Sequence, residues 1–368
     1  MRPLRIGVNA LYLIPGGVGG TEIYLRNLLR AMAEIDEESE YVIFTNRETG
    51  ADITPARRNF KTTVLPITAA NRFGRILWEQ IGLPVEAARS GIDVLLNPGF
   101  TSPLLCSAPT VTVFHDLQHK RHPEYFRWYE LPFWRLFLFA AAVRPGHLIA
   151  VSGATRDDIL RYYPVGRERI EVVPHGVSAE FFQLGAARDG DYVLCVSTLH
   201  PHKNLEQLIR VFARMHRQKP ELRLVMAGMR GFHCDELEAL IASLGMNGPI
   251  EVTGWIERSR LLDLYRHARA FCYPSTFEGF GMPILEALAA GLPVVCANRE
   301  PMSWVAGGAA ILFDPASDDD LLRAMHCALN DEEICRLGPP RARQFSWHAT
   351  AEATLAALRK MVSAQQVF

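Results

Sequence analysis

Short runs of β-branched and aromatic residues alternate along the chain with stretches whose apolar residues recur every three or four positions. The first pattern suits strands and the second amphipathic helices, so the alternation predicts parallel strands joined by helical crossovers. In the first half, RIGVN, YVIFT, TTVLP, DVLLN, TVTVF, HLIAV and IEVVP read as strands, with helices at about 21–34, 75–89, 126–141 and 154–162. The pattern then restarts. YVLCVS, LRLVMAG, IEVTG, AFCYP, PVVCA and AILF read as strands, and helices fall at about 204–217, 235–244, 258–267, 283–290 and 318–329, with two more toward the C-terminus. Between the halves lies SAEFFQLGAARDGD, polar and glycine-containing, which reads as a linker.

A chain of 368 residues is roughly twice the comfortable size of one hydrophobic core. The predicted architecture is therefore α/β, with two Rossmann-like doubly wound domains over residues 1–178 and 190–345. A C-terminal helix at about 346–368 is expected to pack back on the first domain. Such domains hold ligands at the carboxyl ends of their strands, so the expected site is a cleft that both domains face.

Charge narrows the partners. With 39 Lys and Arg against 40 Asp and Glu, no global field draws in nucleic acid or an anionic membrane, and any attraction to phosphate must be local. The seven cysteines show no metal-type spacing, which fits reduced thiols and a cytoplasmic location. The opening MRPLRIGVNALYLIPGG is polar-interrupted and runs into a glycine loop, so it reads as a first strand and not as a signal peptide. The apolar segment LPFWRLFLFAAAV, residues 131–143, contains Pro132 and Arg135 and falls short of the roughly 20 residues a spanning helix needs. It reads as a helix buried in a large core. The other reading is a surface helix touching the inner face of a membrane, with Arg127, Trp128, Trp134 and Arg135 at the interface.

The candidate chemistry centres on PSTFEGFGMPILEALAAGLP, residues 274–293. Gly279, Gly281 and Pro283 delay the helix until about residue 282, because proline favours the first helical position. Glu278 then lies on a loop at a strand's carboxyl end, and Glu286 about one turn into the helix. Free amides at a helix N-terminus suit a phosphate, and carboxylates suit sugar hydroxyls. One short stretch thus offers a diphosphate cradle with an acid on each side, fitting a nucleoside diphosphate sugar.

PSTFEGFGMPILEALAAGLPVV resembles, nearly residue for residue, the donor-site signature of the retaining family-4 glycosyltransferases, which have the GT-B architecture. FHDLQHKRHPEYF, VSGATRDDIL, VVPHGV, VSTLHPHKNLEQLI, VTGWIERSRLLDLYRHARAFCYPS and FSWHATAEATLAALRKM are similar to that family in its usual order, with bacterial mannosyltransferases among its members. The resemblance implies that Glu278 meets hydroxyls of the transferred sugar and Glu286 the ribose, while the amides of Gly279, Phe280 and Gly281 meet sugar and phosphates. It places Lys203 on the diphosphate, where a cation stabilises the departing nucleotide. A lysine merely solvating a helix N-terminus would oppose the helix dipole, which favours the functional reading. The arginine that the family carries near Thr198 or at His202 is missing, so these two positions are expected to complete the donor site in another way. Gly19 and Gly20, in the loop GGVGGTE, are implied on the N-terminal side of the cleft, and His115 at its sugar end, with Asp116 capping the next turn. A further departure is PMSWVAGGAA, where Trp304 and Gly308 replace acids, read as altered loop packing.

The resemblance implies a retaining, metal-independent transfer without a cofactor, in which Glu278, His115 and Lys203 carry the chemistry. SDDD at 317–320 reads as a helix N-cap with first-turn acids and not as a metal motif. STLHPHKN resembles a branch in which GDP-mannose is a frequent donor, so GDP-mannose is the expected co-substrate, with a saccharide or lipid-linked saccharide as acceptor. The alternatives are a UDP-hexose donor, an epimerase or non-catalytic binder of the same fold, and a nicotinamide-dependent oxidoreductase. The last is disfavoured, because the glycine loop lacks the full dinucleotide fingerprint and YVIFTNRE places no acid at the end of its strand.

Overall fold

In this computed structural model, which describes residues 3–17, 19–144 and 146–365, the strands form two parallel sheets. The first contains β1 (Arg5–Asn9), β2 (Glu40–Thr45), β3 (Phe60–Val64), β4 (Val94–Asn97), β5 (Thr110–Phe114), β6 (His147–Ala150) and β7 (Ile170–Val172) in the order β3-β2-β1-β4-β5-β6-β7. The second contains β8 (Tyr192–Val196), β9 (Arg223–Ala227), β10 (Ile250–Gly254), β11 (Ala270–Tyr273), β12 (Val294–Ala297) and β13 (Ile311–Phe313) in the order β10-β9-β8-β11-β12-β13. Every residue of β4, β5, β11 and β12 is buried, as expected where helices cover both faces of a sheet. The class is α/β with two Rossmann-like units.

Each order reverses once, between β1 and β4 in the first sheet and between β8 and β11 in the second. At such a point the two crossovers leave toward opposite sides and open a crevice beyond the carboxyl ends of the strands. Helix ends are held locally. Ser317 Oγ accepts from Asp320 N–H at 3.1 Å and Ser152 Oγ accepts from Thr155 N–H at 3.1 Å, each satisfying an amide that the first helical turn leaves open.

By its contacts the chain divides into two compact units, one reaching Gly176 and resuming at Trp347, the other spanning Val177–Ser346. The resumed segment is the helix Trp347–Gln365, which packs on the helix Gly20–Ile35. Its Trp347 ring lies 6.0 Å from that of Tyr24, and His348 Nε2 lies 2.8 Å from Glu34 Oε2. The stretch that reads as a linker is structured in part. Ala179–Gln183 is a helical turn, and it buries Phe181 edge-on against Tyr265 at 5.2 Å.

Two expectations about helices need correction. The helix placed at 126–141 runs over Leu131–Val143, preceded by a 3-10 turn at Pro123–Tyr125, because Pro132 is tolerated in a first turn. It is also not buried all round. Leu138, Ala141 and Ala142 face inward, but Phe133, Leu136 and Phe139 are exposed. The helix Arg72–Arg89 shows the same inversion. Its outward positions hold Phe73, Leu77, Ile81 and Val85, while Arg75 and Glu79 are buried. Phe73 and Phe133 meet edge-on at 6.0 Å, so the two exposed faces adjoin. No helix among the described residues is long and apolar enough to cross a membrane.

One close approach lies beside the second switch point, where the chain leaves β8 and β9. Gly228, just beyond β9, has φ +147°, and a Cβ there would lie 2.1 Å from the Ser197 carbonyl oxygen in the loop after β8. Gly228→Ala is expected to destabilise the protein by about 2 kcal/mol through strain and collision. A thermal melt of the full chain checks this, and an unchanged midpoint would contradict the tight approach.

Candidate active site

The loops after β8 and β11 leave the second switch point side by side. The first passes Thr198 into a 3-10 turn, Pro201–Lys203, and Asn204 at φ 54° then starts the helix Leu205–His216. Lys203 therefore precedes the helix. The second loop runs from Pro274 to Gly281, whose φ of 103° turns the chain into the helix Met282–Ala290, with Pro283 in its first turn. The loops are tied together at one oxygen. The His202 carbonyl accepts from Thr276 N–H at 2.8 Å, Thr276 Oγ1 at 3.0 Å and Ser275 Oγ at 3.2 Å.

That tie holds an ion pair. Lys203 Nζ lies 2.5 Å from Glu278 Oε1, with the side chains only 11% and 13% exposed. Tyr273, the last residue of β11, donates its hydroxyl to the same oxygen at 2.7 Å, and Lys203 Nζ lies 3.4 Å from that hydroxyl. Burial pushes the Glu278 carboxyl up, but Lys203, the nearby His202 and Tyr273 outweigh it, so its pKa is lowered and the group is ionised. Both recorded contacts fall on Oε1, which leaves Oε2 as the acceptor available to a ligand. Gly279, Phe280 and Gly281 are buried beside it.

Glu286 belongs to a separate cluster. Its Oε2 accepts from the Tyr265 hydroxyl at 3.0 Å, and its Oε1 lies 3.9 Å from Arg258 Nη1. Arg258 also donates to Glu180 through Nε at 2.9 Å and stands 4.6 Å over the Phe181 ring. Burial raises the Glu286 pKa to about 7, with Arg258 and Tyr265 pulling it down and Glu180 pushing it up.

The other expected residues lie in the first unit. Gly19, at φ 60°, caps the helix that Gly20 begins, and its carbonyl accepts from Glu22 and Ile23. Val18, within that loop, lies outside the described residues. His115 follows β5 and is buried among the rings of Tyr24 at 4.9 Å, Phe100 at 5.1 Å and His175 at 5.5 Å. Burial lowers its pKa to about 4, so the ring is neutral. Its Nε2 lies 2.8 Å from the Pro98 carbonyl, which can only accept, so Nε2 carries the proton and Nδ1 is left as an acceptor. Asp116 Oδ1 accepts from Gln118 N–H at 2.9 Å and caps the following turn. Trp304 lies in the short helix Met302–Ala306 and not in the expected loop, and it packs edge-on against Phe280 at 6.3 Å and Phe345 at 5.4 Å.

Tyr273, Tyr265, Arg258 and Glu180 escaped the sequence reading. The tyrosines read as apolar strand and helix positions. Glu180 and Arg258 are 78 residues apart, and nothing in their spacing announces a pair.

Both halves of the chain are similar to known proteins. The model of Glycosyltransferase Family 4 matches residues 18–181, and that of Glycosyl transferases group 1 matches residues 177–344. O-antigen chain mannosyltransferase B of Escherichia coli is 28% identical over 265 residues, covering 68% of this chain and 70% of that protein. MMP alpha-(1->4)-mannosyltransferase of Mycolicibacterium hassiacum is 27% identical over 397 aligned positions, covering 94% and 95%. Among solved structures, Anabaena HepE in complex with UDP and glucose superposes with a TM-score of 0.72 at 19% identity, covering 97% and 99%.

The raised pKa of Glu286 gives a stability prediction with a definite sign. The folded state binds this proton more tightly than the unfolded chain, so the stabilisation is present below the unfolded value and is lost as pH rises through about 7. Its ceiling is about 3 kcal/mol, and Glu286→Gln removes the slope. Between about pH 5 and pH 8 the melting temperature of Glu286→Gln should gain on that of the wild type. A constant difference between the two proteins would show that Glu286 titrates normally.

Proposed function

The two halves of the chain belong to the Glycosyltransferase Family 4 and Glycosyl transferases group 1 families, and from that premise we propose a retaining transfer of mannose from GDP-mannose to a saccharide or lipid-linked saccharide. The protein is a glycosyltransferase of the GT-B fold. The observation that carries the finer reading is the buried Lys203–Glu278 pair at the second switch point. It sets a cation and a carboxylate side by side where a nucleoside diphosphate sugar needs one for its phosphates and the other for its hydroxyls.

On this reading Lys203 leans onto the diphosphate and offsets the negative charge that grows there as the bond to the anomeric carbon breaks. Thr198, His202 and the Gly279–Gly281 segment complete the donor site, and Glu278 Oε2 accepts a hydroxyl of the sugar. Glu286 accepts from the ribose, steadied by Tyr265 and Arg258. In the first unit, Gly19 and Gly20 approach donor or acceptor, and neutral His115 offers Nδ1 to a sugar hydroxyl. The acceptor oxygen bonds to the anomeric carbon on the face from which the phosphate leaves, and the departing phosphate oxygen takes the acceptor's proton. Charge compensation is assigned to Lys203 and backbone amides, so neither a divalent ion nor a cofactor enters the scheme.

Mannose is favoured because the two relatives named above are mannosyltransferases and because STLHPHKN resembles the GDP-mannose branch. A UDP-hexose is the second reading, since the Anabaena neighbour holds UDP and glucose. The scattered cysteines favour a cytoplasmic location, and the adjoining apolar faces of the Arg72–Arg89 and Leu131–Val143 helices support peripheral contact with a membrane, at its inner face on this reading.

Thermal stability measured with GDP, UDP and ADP should show selective protection, greatest with GDP, because a ligand of the folded state alone raises apparent stability. Equal shifts with all three, or none, would remove the nucleotide-sugar reading. Lys203→Ala should lower turnover by roughly 100-fold, as when one preorganised donor to developing charge is lost. Glu278→Gln should lower kcat while leaving affinity for free nucleotide unchanged, and Glu286→Gln should weaken that affinity by about 1–3 kcal/mol. Near-normal turnover in folded Lys203→Ala, or the reverse behaviour of the two glutamates by calorimetry, would overturn the assignments.

A further inference from the structure

Arg258 serves two carboxylates unequally. Its Nε and Nη2 both donate to Glu180 Oε1, Nε at 2.9 Å, whereas Nη1 stays 3.9 Å from Glu286 Oε1, too far for a hydrogen bond. The posture is braced on the other side. The guanidinium stands 4.6 Å over the Phe181 ring, Phe181 packs edge-on against Tyr265 at 5.2 Å, and Tyr265 donates to Glu286 Oε2 at 3.0 Å. Glu180 and Phe181 share the short helix Ala179–Gln183, a few residues past the boundary at Gly176. Arg258 and Tyr265 share the helix Arg258–His267. The helix Met282–Ala290, which carries Glu286, also packs against β11, β12 and the helices Met302–Ala306 and Ile334–Ala342. Among the described residues, none of these brings a charged or titratable group to bear on Glu286.

The cation is given to the carboxylate that needs it less. Glu180 is 41% exposed and is stabilised by water, while Glu286 is 12% exposed and depends on its neighbours for charge compensation. A pair built only for stability would place the guanidinium against the more buried acid. We propose that Glu180 is a positioning residue for nucleotide binding: it holds the Arg258 guanidinium off Glu286, and so restrains the carboxylate that receives the ribose. This rests on the reading of Glu286 as the ribose acceptor. An ionised carboxylate accepts from ribose hydroxyls through both oxygens, whereas a protonated one turns one of them into a donor. With Arg258 held away, burial keeps the Glu286 pKa at about 7, so the acid is protonated in a large share of molecules at neutral pH. Nucleotide binding then releases that proton to solvent and draws the guanidinium from Glu180 toward Glu286. Below about pH 7 the release opposes binding, and above it the opposition disappears.

The test is calorimetric and needs no turnover. The full chain is titrated with GDP and with UDP at about pH 6 and about pH 8.5, and the nucleotide that binds the wild type more tightly is followed. Each variant is compared with the wild type at the same pH, which cancels titration of the nucleotide's own phosphate. Glu180→Gln loosens the hold on Arg258 and should tighten binding by roughly 5-fold at the lower pH, where it raises the ionised fraction of Glu286, with no change at the higher pH. The gain should vanish in double variants that add Arg258→Gln or Glu286→Gln, because it passes through both side chains. A purely structural role for Glu180 would move affinity equally at the two pH values or not at all. If Glu180→Gln fails to fold, Glu180→Ala serves in its place. No gain at the lower pH, an equal gain at both, weaker binding, or a gain that survives Arg258→Gln overturns the proposal alone, provided Glu286→Gln still weakens nucleotide binding at the higher pH. Unchanged affinity in Glu286→Gln there, or no binding of either nucleotide, overturns the ribose reading and the proposal with it.

Discussion

The contact between Lys203 and Glu278 is the constraint on which the second unit depends. Two opposite charges are taken out of water, and their attraction repays that cost only if the geometry is held closely. Here it is held by backbone. Ser275 and Thr276 clasp the His202 carbonyl, so the loop bearing the cation and the loop bearing the carboxylate cannot separate without breaking three hydrogen bonds. Removing either partner would leave a buried charge uncompensated, at a cost of about 3–5 kcal/mol. The pair is therefore preorganised. A ligand that brings an anion and a hydroxyl together can take over both charges at once, whereas a ligand bringing only one leaves the other group short.

Both units use the same topological device with different contents. Reversal of strand order creates a crevice in each sheet, and short strands deliver their last residues to its edge: Asn9 and Asn97 in one, Tyr273 in the other. In the second unit the charges meet and cancel, and both contacts to Glu278 fall on its Oε1. In the first, Arg75 and Glu79 are buried close enough to perturb each other, and one atom of each, Arg75 Nε and Glu79 Oε1, lacks a hydrogen-bond partner. The same helix that carries them inward turns Phe73, Leu77, Ile81 and Val85 outward, the inverse of an ordinary surface helix. A net charge of -1 hides this local arrangement entirely.

The glutamate cluster around Glu286 shows how a second environment separates two carboxylates of one short motif. Glu278 is ionised by a cation in direct contact, while Glu286 has its cation 3.9 Å away and shared with Glu180, so burial prevails and its pKa is raised to about 7. Two acids eight positions apart are thereby given different proton affinities. The difference comes from their partners and not from the motif.

The sequence by itself determined the alternating elements, the restart of the pattern after residue 178, and the loop-helix geometry around Glu278 and Glu286. Each of these is local: period, proline and glycine act within a few residues of themselves. The motif order across the chain also identified the family, because ordered segments are legible without coordinates. Tertiary structure alone decided which charges meet. Lys203 and Glu278 are 75 residues apart, Arg258 and Glu180 are 78 apart, and the clasp on the His202 carbonyl joins residues 73 and 74 apart. It also decided the burial of the Leu131–Val143 helix, whose apolar residues read as core but partly face outward, and the direction of the Arg72–Arg89 helix, which buries Arg75 and Glu79 and exposes Phe73 and Leu77. Periodicity reports that a helix has an apolar stripe, whereas the direction of that stripe is set by which neighbours the sheet order brings against it.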